Sequence, residues 1–372
     1  MILPDRRYKI ALIGFRLGTG GAEKALANLS IFFDKKGIDV HNIIILDDVS
    51  YEYAGKLINL GKLKNKSNDV LNKIKRIVFL KKYLKKNKFD FIIDFRPRTK
   101  TVQELIIAKW LYQTNVIFSV RSYLLDYYMP KRSSLTRLIY GNCYSVVAVT
   151  KTTQKLIEAK HKLKNVTTIY NSVDFQGIES MCNEPVDLHF DYIIGVGQME
   201  TNIKQFDKLI EAYVDSVLPK QNIHLLLLGE GEKKLILQNL AKQKKIEDKI
   251  HFMGYQNNPY KFMQKAKFLV LSSLNEGMPN VILEALACKT PVVAFDCPSG
   301  PGEIIIDNKN GLLVEDQNVE KLTEAMDLLV ADKELYQYCK QNTLQSIQYL
   351  SLENIGKQWL DLMKIKDFQV TN

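Results

Sequence analysis

The stretch "SSLNEGMPNVILEALACKTPVVAFDCPSGPGEII", residues 272–305, decides the fold prediction for this chain. Together with the letters before it, it contains an apolar run ("KFLVLSS"), a polar loop ("LNEGMPN"), a segment with helical periodicity ("VILEALACK") and a second apolar run ("PVVAFD"). Apolar runs that alternate with helices predict strands of a parallel sheet that is covered on both faces. The stretch therefore predicts one strand–loop–helix–strand unit of an α/β protein.

Glu276 and Glu284 lie in this stretch with seven residues between them. Glu276 falls in the loop after a predicted strand, and Glu284 falls about one turn into the next helix. Gly277 allows a sharp turn, and Pro279 suits the first turn of a helix. Carboxylates and the amides of a helix start bind hydroxyls and anions. An ordinary salt bridge of a loop glutamate and a helix glutamate is an equally good interpretation of the spacing alone.

The rest of the chain repeats this pattern in two series. Apolar runs of the first series are "YKIALIG", "VHNIIIL", "FDFIIDF", "TNVIFSV" and "SVVAVT", and those of the second are "YIIGVG", "IHLLLLGEG", "IHFMGY", "KFLVLSS", "PVVAFD" and "GLLVE". Residues 169–190 between them are rich in turn residues and predict an interdomain linker. We therefore expect two doubly wound, Rossmann-like domains, residues 1–172 and 186–349, with the ligand site in the cleft between them.

A glycine-rich loop, "GTGGAEK", follows the first predicted strand and contains Gly18, Gly20 and Gly21. Such a loop allows close approach of a phosphate or a sugar, and a tight strand-to-helix turn explains it equally well. The loop matches neither GxGxxG nor GxxxxGK[ST]. In the second series, "GQMETNIK" also follows a strand, and its Lys204 is a candidate cation for a diphosphate.

Composition limits the classes of function. The 372 residues carry 52 Lys and Arg against 41 Asp and Glu, a net charge of +11, which favours anionic partners. The N-terminal letters "MILPDRRYKIALIGF" do not follow the order of a signal peptide, and no apolar run is long enough to span a bilayer. The five cysteines and five histidines are scattered and DxD is absent, so we expect reduced thiols and no metal site.

The segment "KIKRIVFLKKYLKKNKF", residues 73–89, predicts a basic amphipathic helix. Ile74, Val78, Phe79 and Leu84 are predicted to pack inward, with lysines over the remaining surface. Basic amphipathic surfaces attract anionic membranes, and a plain solvated lysine face is the alternative.

These motifs together resemble the family 4 retaining glycosyltransferases. "EGMPNVILEALACKTPVVA" with Glu276 and Glu284 resembles the family's E-x7-E hallmark, and "SGPGEII" and "NGLLV" follow it in the family's order. "GTGGAEKALANLS" is similar to the family's first loop and helix, and "IYNSVDF" is similar to its interdomain segment. The resemblance covers nearly the whole chain and implies the GT-B fold. It also implies a C-terminal helix, near residues 350–367, that returns to the N-terminal domain.

The resemblance further implies the roles of particular residues. Glu276 would contact the donor sugar, Glu284 would hold the ribose hydroxyls, and Lys204 would stabilise the diphosphate. The other donor-side positions are Gly197, Gln198, Gly254, Tyr255, Gly277, Met278, Pro279 and Asn280. The family needs no metal and retains the configuration at the anomeric carbon.

Two positions depart from the family pattern. Gly197 and Gln198 stand where the family often has Gly-Arg, and Lys204 lies one residue later than usual. Many members also have a histidine near the donor sugar, whereas this chain has Arg121 in "SVRSY". Arg121 is a candidate catalytic cation, and it cannot act as a general base because it stays protonated.

We therefore expect a retaining, metal-independent glycosyltransferase that uses a UDP-sugar or another nucleoside-diphosphate sugar. The expected acceptor is a saccharide, lipid-linked, in the synthesis of a bacterial surface glycan such as capsule or lipopolysaccharide. A non-catalytic GT-B-like subunit that binds sugar nucleotide or glycan is the alternative, suggested by Gln198 and Arg121. We expect no nucleic-acid partner, and a cytoplasmic protein that associates peripherally with the inner face of the cytoplasmic membrane.

Overall fold

The computed structural model describes residues 7–64 and 70–366. The chain divides into two compact units, of which unit 1 comprises Met1–Ser172 with Leu352–Asn372 and unit 2 comprises Val173–Ser351. Residue 1, where the first predicted domain begins, and residue 367, where the predicted C-terminal helix ends, lie outside the described residues.

The described part of unit 1 contains a sheet of seven parallel strands in the order β3-β2-β1-β4-β5-β6-β7. The strands are β1 (Lys9–Gly14), β2 (Asp39–Ile44), β3 (Lys56–Asn59), β4 (Phe91–Asp94), β5 (Asn115–Val120), β6 (Ser145–Ala148) and β7 (Val166–Thr168). The first five helices are α1 (Gly21–Lys35), α2 (Val70–Asn87), α3 (Thr101–Ile106), α4 (Ser133–Tyr140) and α5 (Lys151–His161). A π-helical turn, Ile107–Leu111, continues α3.

Unit 2 contains a sheet of six parallel strands in the order β10-β9-β8-β11-β12-β13. The strands are β8 (Tyr192–Val196), β9 (His224–Leu228), β10 (Ile250–Gly254), β11 (Leu269–Leu271), β12 (Val292–Phe295) and β13 (Gly311–Val314). The helices are α6 (Phe175–Cys182), α7 (Phe206–Asp215), α8 (Lys234–Gln243), α9 (Tyr260–Lys265), α10 (Asn280–Ala287), α11 (Pro301–Ile304), α12 (Val319–Ala331) and α13 (Lys333–Ile347).

The last helix, α14 (Leu352–Leu362), belongs to unit 1 and packs on α1. Gly356 is the point of closest packing, because a Cβ there would lie 2.4 Å from the Phe32 ring. Short 3-10 turns occur at Leu125–Tyr127, Asn202–Lys204, Pro219–Gln221, Glu247–Lys249 and Gln348–Leu350. None of the helices in the described ranges combines the length and the apolar character needed to cross a membrane.

The predicted α/β class with two doubly wound, Rossmann-like domains is confirmed. The prediction for residues 169–190 is wrong in one respect, because this segment contains helix α6. The Asp174 side chain caps that helix by accepting a hydrogen bond from the Gly177 N–H. The strands β3 and β7, which the apolar runs do not predict, are the two edges of the first sheet.

The predicted inward face of α2 is also wrong. Ile74, Val78 and Phe79 are 50%, 40% and 42% exposed, whereas Leu84 is buried as expected. The residue that shares the buried face with Leu84 is Leu80, one helical turn earlier. Helix α2 therefore packs on unit 1 through a face rotated away from the predicted one.

A buried ionic cluster lies at the carboxyl end of β4. The Asp94 carboxylate is fully buried and accepts a hydrogen bond from Arg96 Nη2 at 2.7 Å and from the Tyr112 hydroxyl at 3.0 Å. Arg98, also buried, donates to the carbonyl of Asp94 at 3.1 Å and to that of Ser119 on β5 at 2.9 Å. The cluster therefore ties the loop after β4 to the neighbouring strand.

The charges in this cluster offset the cost of burying them. Burial alone would raise the pKa of the Asp94 carboxyl, but Arg96 and Arg98 outweigh burial and hold that pKa below its usual value. A carboxyl with a lowered pKa in the folded state contributes stability above its unfolded pKa, about 3.9, and loses it as the pH falls. The contribution of Asp94 is therefore fully present at pH 7.

We predict that Asp94→Ala lowers the free energy of unfolding of unit 1 by about 3–5 kcal/mol at pH 7, because it removes the carboxylate between two buried arginines and leaves only Glu104, 3.1 Å from Arg96, to pair with them. Urea unfolding followed by tryptophan fluorescence measures this, since both tryptophans, Trp110 and Trp359, lie in unit 1.

The matched control is Asp126→Ala. Asp126 is half-exposed and pairs with Lys131 and Lys160 at 3.5 and 3.6 Å, so its loss should cost less than about 1 kcal/mol. Equal effects of the two substitutions would contradict a stabilising role for the buried cluster.

Candidate functional site

The candidate site of unit 2 lies at the carboxyl ends of β8 and β11. These strands are neighbours, and the chain order reverses between them, because β9 and β10 lie on one side and β12 and β13 on the other. Parallel α/β sheets bind ligands outside the carboxyl ends of the strands at such a reversal. The loop that follows β8 contains Lys204, and the loop that follows β11 contains Glu276.

Lys204 and Glu276 form an ion pair, with 2.6 Å between Lys204 Nζ and Glu276 Oε1. The Lys204 side chain is 23% exposed and the Glu276 side chain 12% exposed, so both groups remain within reach of solvent. Ser272 at the end of β11 donates its hydroxyl to the carbonyl of Lys204 at 2.9 Å. The structure therefore brings together two candidate residues that are 72 positions apart in sequence.

Glycines allow the loops after β8 and β9 to lie in contact. Gly229 has φ +142°, and a Cβ there would lie 1.9 Å from the carbonyl oxygen of Gly197. A Cβ on Gly197 would in turn lie 2.9 Å from the Lys204 side chain. Any larger residue at Gly197 or Gly229 would displace the backbone or the lysine.

The loop from Glu276 to helix α10 is supported from β12. Ser299 donates its hydroxyl to the Gly277 carbonyl at 2.9 Å. A Cβ on Gly300 would lie 2.5 Å from the Pro279 ring, so these two loops are closely packed. Met278 is buried at 7% exposure, and Asn280 opens α10.

Glu284 lies one turn into α10, as predicted, and is partly exposed. The hydroxyl of Tyr260, on α9, lies 3.5 Å from Glu284 Oε1. The sequence analysis did not select Tyr260, because an aromatic residue in a helix is ordinarily a packing residue.

The remaining predicted residues of unit 2 lie around the same strand ends. Gly254, with φ +70°, accepts a hydrogen bond at its carbonyl from the Gly229 N–H at 2.8 Å. Tyr255 next to it is 55% exposed, and Gln198 is exposed in the loop after β8. Gly254 and Tyr255 therefore lie next to the loop that follows β9 and contains Gly229.

The thiol of Cys297, which interacts electrostatically with Glu276, is not a nucleophile. Burial, reinforced by the negative charge of Glu276, raises the pKa of the Cys297 thiol to about 12. A thiol with this pKa stays protonated at neutral pH and is unreactive.

Unit 1 has its own reversal of strand order, between β1 and β4. The glycine-rich loop follows β1 there, and a Cβ on Gly18 would lie 2.2 Å from the Asp48 carboxylate. Arg16 donates to the same carboxylate at 3.2 Å. Gly20 has φ +132° and donates its N–H to the Tyr51 hydroxyl at 3.3 Å, and Gly21 begins α1.

Arg121 lies directly after β5 in unit 1 and is partly buried. Its Nη2 donates to the Asn171 side chain, and its guanidinium lies 5.5 Å from the centre of the Phe95 ring. Arg121 Nε has no hydrogen-bond partner among the described residues. Arg121 lines a small pocket with residues of α1 and α14, among them Leu29 and Trp359.

The electrostatics of unit 1 link Arg121 to a carboxylate that sequence reasoning missed. Burial lowers the pKa of Arg121 to about 10, against the opposing effect of Tyr128 and Glu23, so the guanidinium stays charged at neutral pH. Burial raises the pKa of Glu23 despite its own backbone hydrogen bond and the charges of Arg16 and Arg121. Glu23 is the glutamate of "GTGGAEK". The sequence motif contains this residue, but it does not indicate that the side chain is buried next to a cation.

Comparison with known proteins agrees with this geometry. The family model "Glycosyltransferase Family 4" matches residues 19–176, and the model "Glycosyl transferases group 1" matches residues 183–346. The chain therefore belongs to the family 4 glycosyltransferases, and it is a glycosyltransferase of the GT-B fold.

Individual relatives match this chain over nearly its whole length. The N-acetylgalactosamine-N,N'-diacetylbacillosaminyl-diphospho-undecaprenol 4-alpha-N-acetylgalactosaminyltransferase of Campylobacter jejuni is 29% identical over 347 residues, which are 88% of this chain and 91% of that protein. Staphylococcus aureus TarM, solved with UDP and alpha-GlcNAc-glycerol, has a TM-score of 0.75 at 17% identity over 96% of this chain and 99% of its own. Anabaena HepE, solved with UDP and glucose, has a TM-score of 0.76 at 16% identity over 96% of this chain and 100% of its own.

Proposed function

We propose that this glycosyltransferase moves a hexose or N-acetylhexosamine from a UDP-sugar, or another nucleoside-diphosphate sugar, to a lipid-linked saccharide during synthesis of a bacterial surface glycan. The observation that carries the proposal is the Lys204–Glu276 ion pair, 2.6 Å long, at the reversal of strand order in unit 2. The name of the Campylobacter relative, which specifies a diphospho-undecaprenol saccharide, supports the acceptor class. UDP in the TarM and HepE complexes supports the donor class.

The ion pair suggests how the site handles the donor. Before binding, Lys204 and Glu276 neutralise each other at 2.6 Å. A diphosphate competes with the carboxylate for the lysine, because phosphate oxygens also accept charge-assisted hydrogen bonds. Glu276, released from the lysine, then accepts hydrogen bonds from sugar hydroxyls, and Glu284 accepts them from the ribose. Tyr260, 3.5 Å from Glu284, orients that second carboxylate.

The transfer step breaks the bond between the anomeric carbon and the phosphate oxygen and forms a bond from that carbon to the acceptor oxygen. The acceptor hydroxyl attacks from the face that the nucleoside diphosphate leaves, and the departing phosphate oxygen takes the hydroxyl proton. Negative charge grows on the phosphate, so cations placed beforehand lower the barrier. Lys204 supplies one such cation. Arg121 is the candidate for a second, and it would act only as a charge since its pKa is about 10.

We further propose that the reaction needs no metal ion, because side-chain cations such as Lys204 supply the positive charge that a divalent ion provides elsewhere. The proposed location is the cytoplasmic face of the membrane. There the enzyme associates peripherally with the lipid surface and binds its lipid-linked acceptor.

We predict that Glu276→Ala lowers the transfer rate by about 10²–10³-fold, because the donor sugar loses a bonding partner in the transition state. The same substitution should leave UDP affinity unchanged or tighter, since it frees Lys204 from its competitor, whereas Lys204→Met should weaken UDP binding. Transfer assays and titration calorimetry with UDP measure the two effects.

The matched control is a second ion pair in unit 2, Lys208–Glu211, at 2.9 Å on α7. Lys208→Met and Glu211→Ala should change neither quantity. Full transfer activity in Glu276→Ala would refute its assignment, and parent protein that binds UDP-sugar without transferring or hydrolysing it would favour a non-catalytic binding subunit.

We predict that Arg121→Gln lowers the transfer rate by about 10²-fold and that Arg121→Lys recovers part of the loss, because lysine restores the charge but not the guanidinium geometry. Arg132→Gln, at an exposed position shortly after Arg121 in sequence, is the control and should resemble the parent. Equal transfer rates in Arg121→Gln and the parent would show that Arg121 has no role in the reaction.

We predict that the product keeps the anomeric configuration of the donor and that excess EDTA leaves the rate unchanged. Proton NMR of the anomeric hydrogen in a short incubation measures the configuration before any rearrangement. An inverted product would exclude same-face attack, and loss of activity in EDTA that Mg²⁺ or Mn²⁺ restores would exclude metal independence.

A further inference from the structure

Helix α2 carries two apolar stripes on opposite sides. Leu80 and Leu84 are buried, and they mark the side that packs on unit 1. Leu71, Ile74 and Val78 are 67%, 50% and 40% exposed. An α-helix turns by about 100° per residue, so these three residues form one line on the side opposite Leu80 and Leu84. The helix therefore presents an apolar stripe to its surroundings.

Lysines extend this outward stripe towards the end of the helix. Lys82 and Lys85 follow Val78 at spacings of four and three residues, and both are exposed. Their side chains project from the same side of α2 as the apolar residues. The outward stripe is therefore apolar in the first half of the helix and cationic in the second.

A second exposed stripe lies beside the first. Val102 and Ile106 lie on α3, and Trp110 lies on its π-helical continuation, at spacings of four residues. They are 72%, 51% and 45% exposed. Lys81 Nζ on α2 lies 3.2 Å from the centre of the Trp110 ring, so the two helical segments are neighbours.

We call the combined surface the α2–α3 face. It consists of Leu71, Ile74, Val78, Lys82, Lys85, Val102, Ile106 and Trp110.

Large apolar side chains grouped on a surface mark a place where another body binds. A second copy of this chain fits poorly, because a twofold interface brings the same surface against itself. It would place Lys82 and Lys85 either against other lysines or against the apolar half of the stripe. An anionic bilayer fits both halves of the stripe, since its headgroups attract lysines and its acyl boundary accepts apolar side chains. Tryptophan is also favoured at that boundary, which suits Trp110.

We propose that the α2–α3 face docks on an anionic lipid bilayer. Leu71, Ile74 and Val78 enter the boundary between headgroups and acyl chains, and Lys82 and Lys85 contact lipid phosphates. This inference rests on the peripheral membrane location proposed above and names the surface that binds. Docking itself requires neither the donor nor a lipid-linked acceptor. Vesicle binding and transfer can therefore fail independently of each other.

The test is flotation of the full chain with phosphatidylcholine vesicles that contain or lack phosphatidylglycerol. The parent should bind the phosphatidylglycerol vesicles, bind the neutral vesicles weakly, and dissociate as salt rises. The double substitution Ile74→Ser with Val78→Ser should lower the partition coefficient on the order of tenfold. Lys82→Gln with Lys85→Gln should lower it on the order of tenfold as well.

Helix α8 in unit 2 offers matched controls. Leu235 and Ile236 are 65% and 58% exposed, and Lys242 and Lys244 on or next to the same helix are exposed. Two double substitutions on this helix make the same kinds of change outside the α2–α3 face: Leu235→Ser with Ile236→Ser, and Lys242→Gln with Lys244→Gln. Both variants should bind vesicles as the parent does. Tryptophan fluorescence and thermal unfolding verify that each variant is folded.

Three outcomes would overturn the proposal. The first is that the Ile74→Ser, Val78→Ser variant binds vesicles as strongly as the parent does. The second is equal binding of the parent to neutral and anionic vesicles. The third is absence of vesicle binding together with a dimer in analytical ultracentrifugation that the same double substitution dissociates, which would assign the face to a second copy of the chain.

Discussion

A strand that is covered on both faces offers almost no position where a charged group can meet water, and the inner strands of both sheets are of this kind. Every residue of β9 and of β12 is buried. Polar chemistry is therefore confined to the loops at the strand ends, and in a parallel sheet all carboxyl ends meet at one edge. Lys204, Glu276 and Arg121 all occupy such loops. This explains how Lys204 and Glu276, which are far apart in sequence, come into contact in unit 2.

Asp94 on β4 is the instructive exception, because it is a fully buried charge within a strand. It is tolerated because two arginines from the same short loop, Arg96 and Arg98, bond to its carboxylate and backbone. Arg98 also bonds to the carbonyl of Ser119, two residues before Arg121. The group that compensates the buried charge thereby fixes the end of the strand that precedes a candidate catalytic residue.

The sequence was most informative where local order decides the outcome. Apolar runs bounded by glycine and polar loops located most strands, and they placed Glu276 in a loop and Glu284 on a helix. Edge strands such as β3, with partly exposed residues, lack a continuous apolar run and escaped notice. Helix α2 has two apolar stripes, and periodicity alone cannot decide which one a neighbouring sheet will cover. The Lys204–Glu276 contact joins loops 72 residues apart, and no local pattern encodes such a pairing.

The pairing of Lys204 with Glu276 has a consequence for selectivity. Under the proposed role, the cation that receives the donor is never a bare charge, because a carboxylate lies 2.6 Å away from it. Orthophosphate offers a single group and must displace that carboxylate with nothing else to compensate. A nucleoside diphosphate brings two phosphates and a ribose, and it gains further contacts as the carboxylate is displaced. The pairing therefore favours the nucleoside diphosphate over abundant small anions.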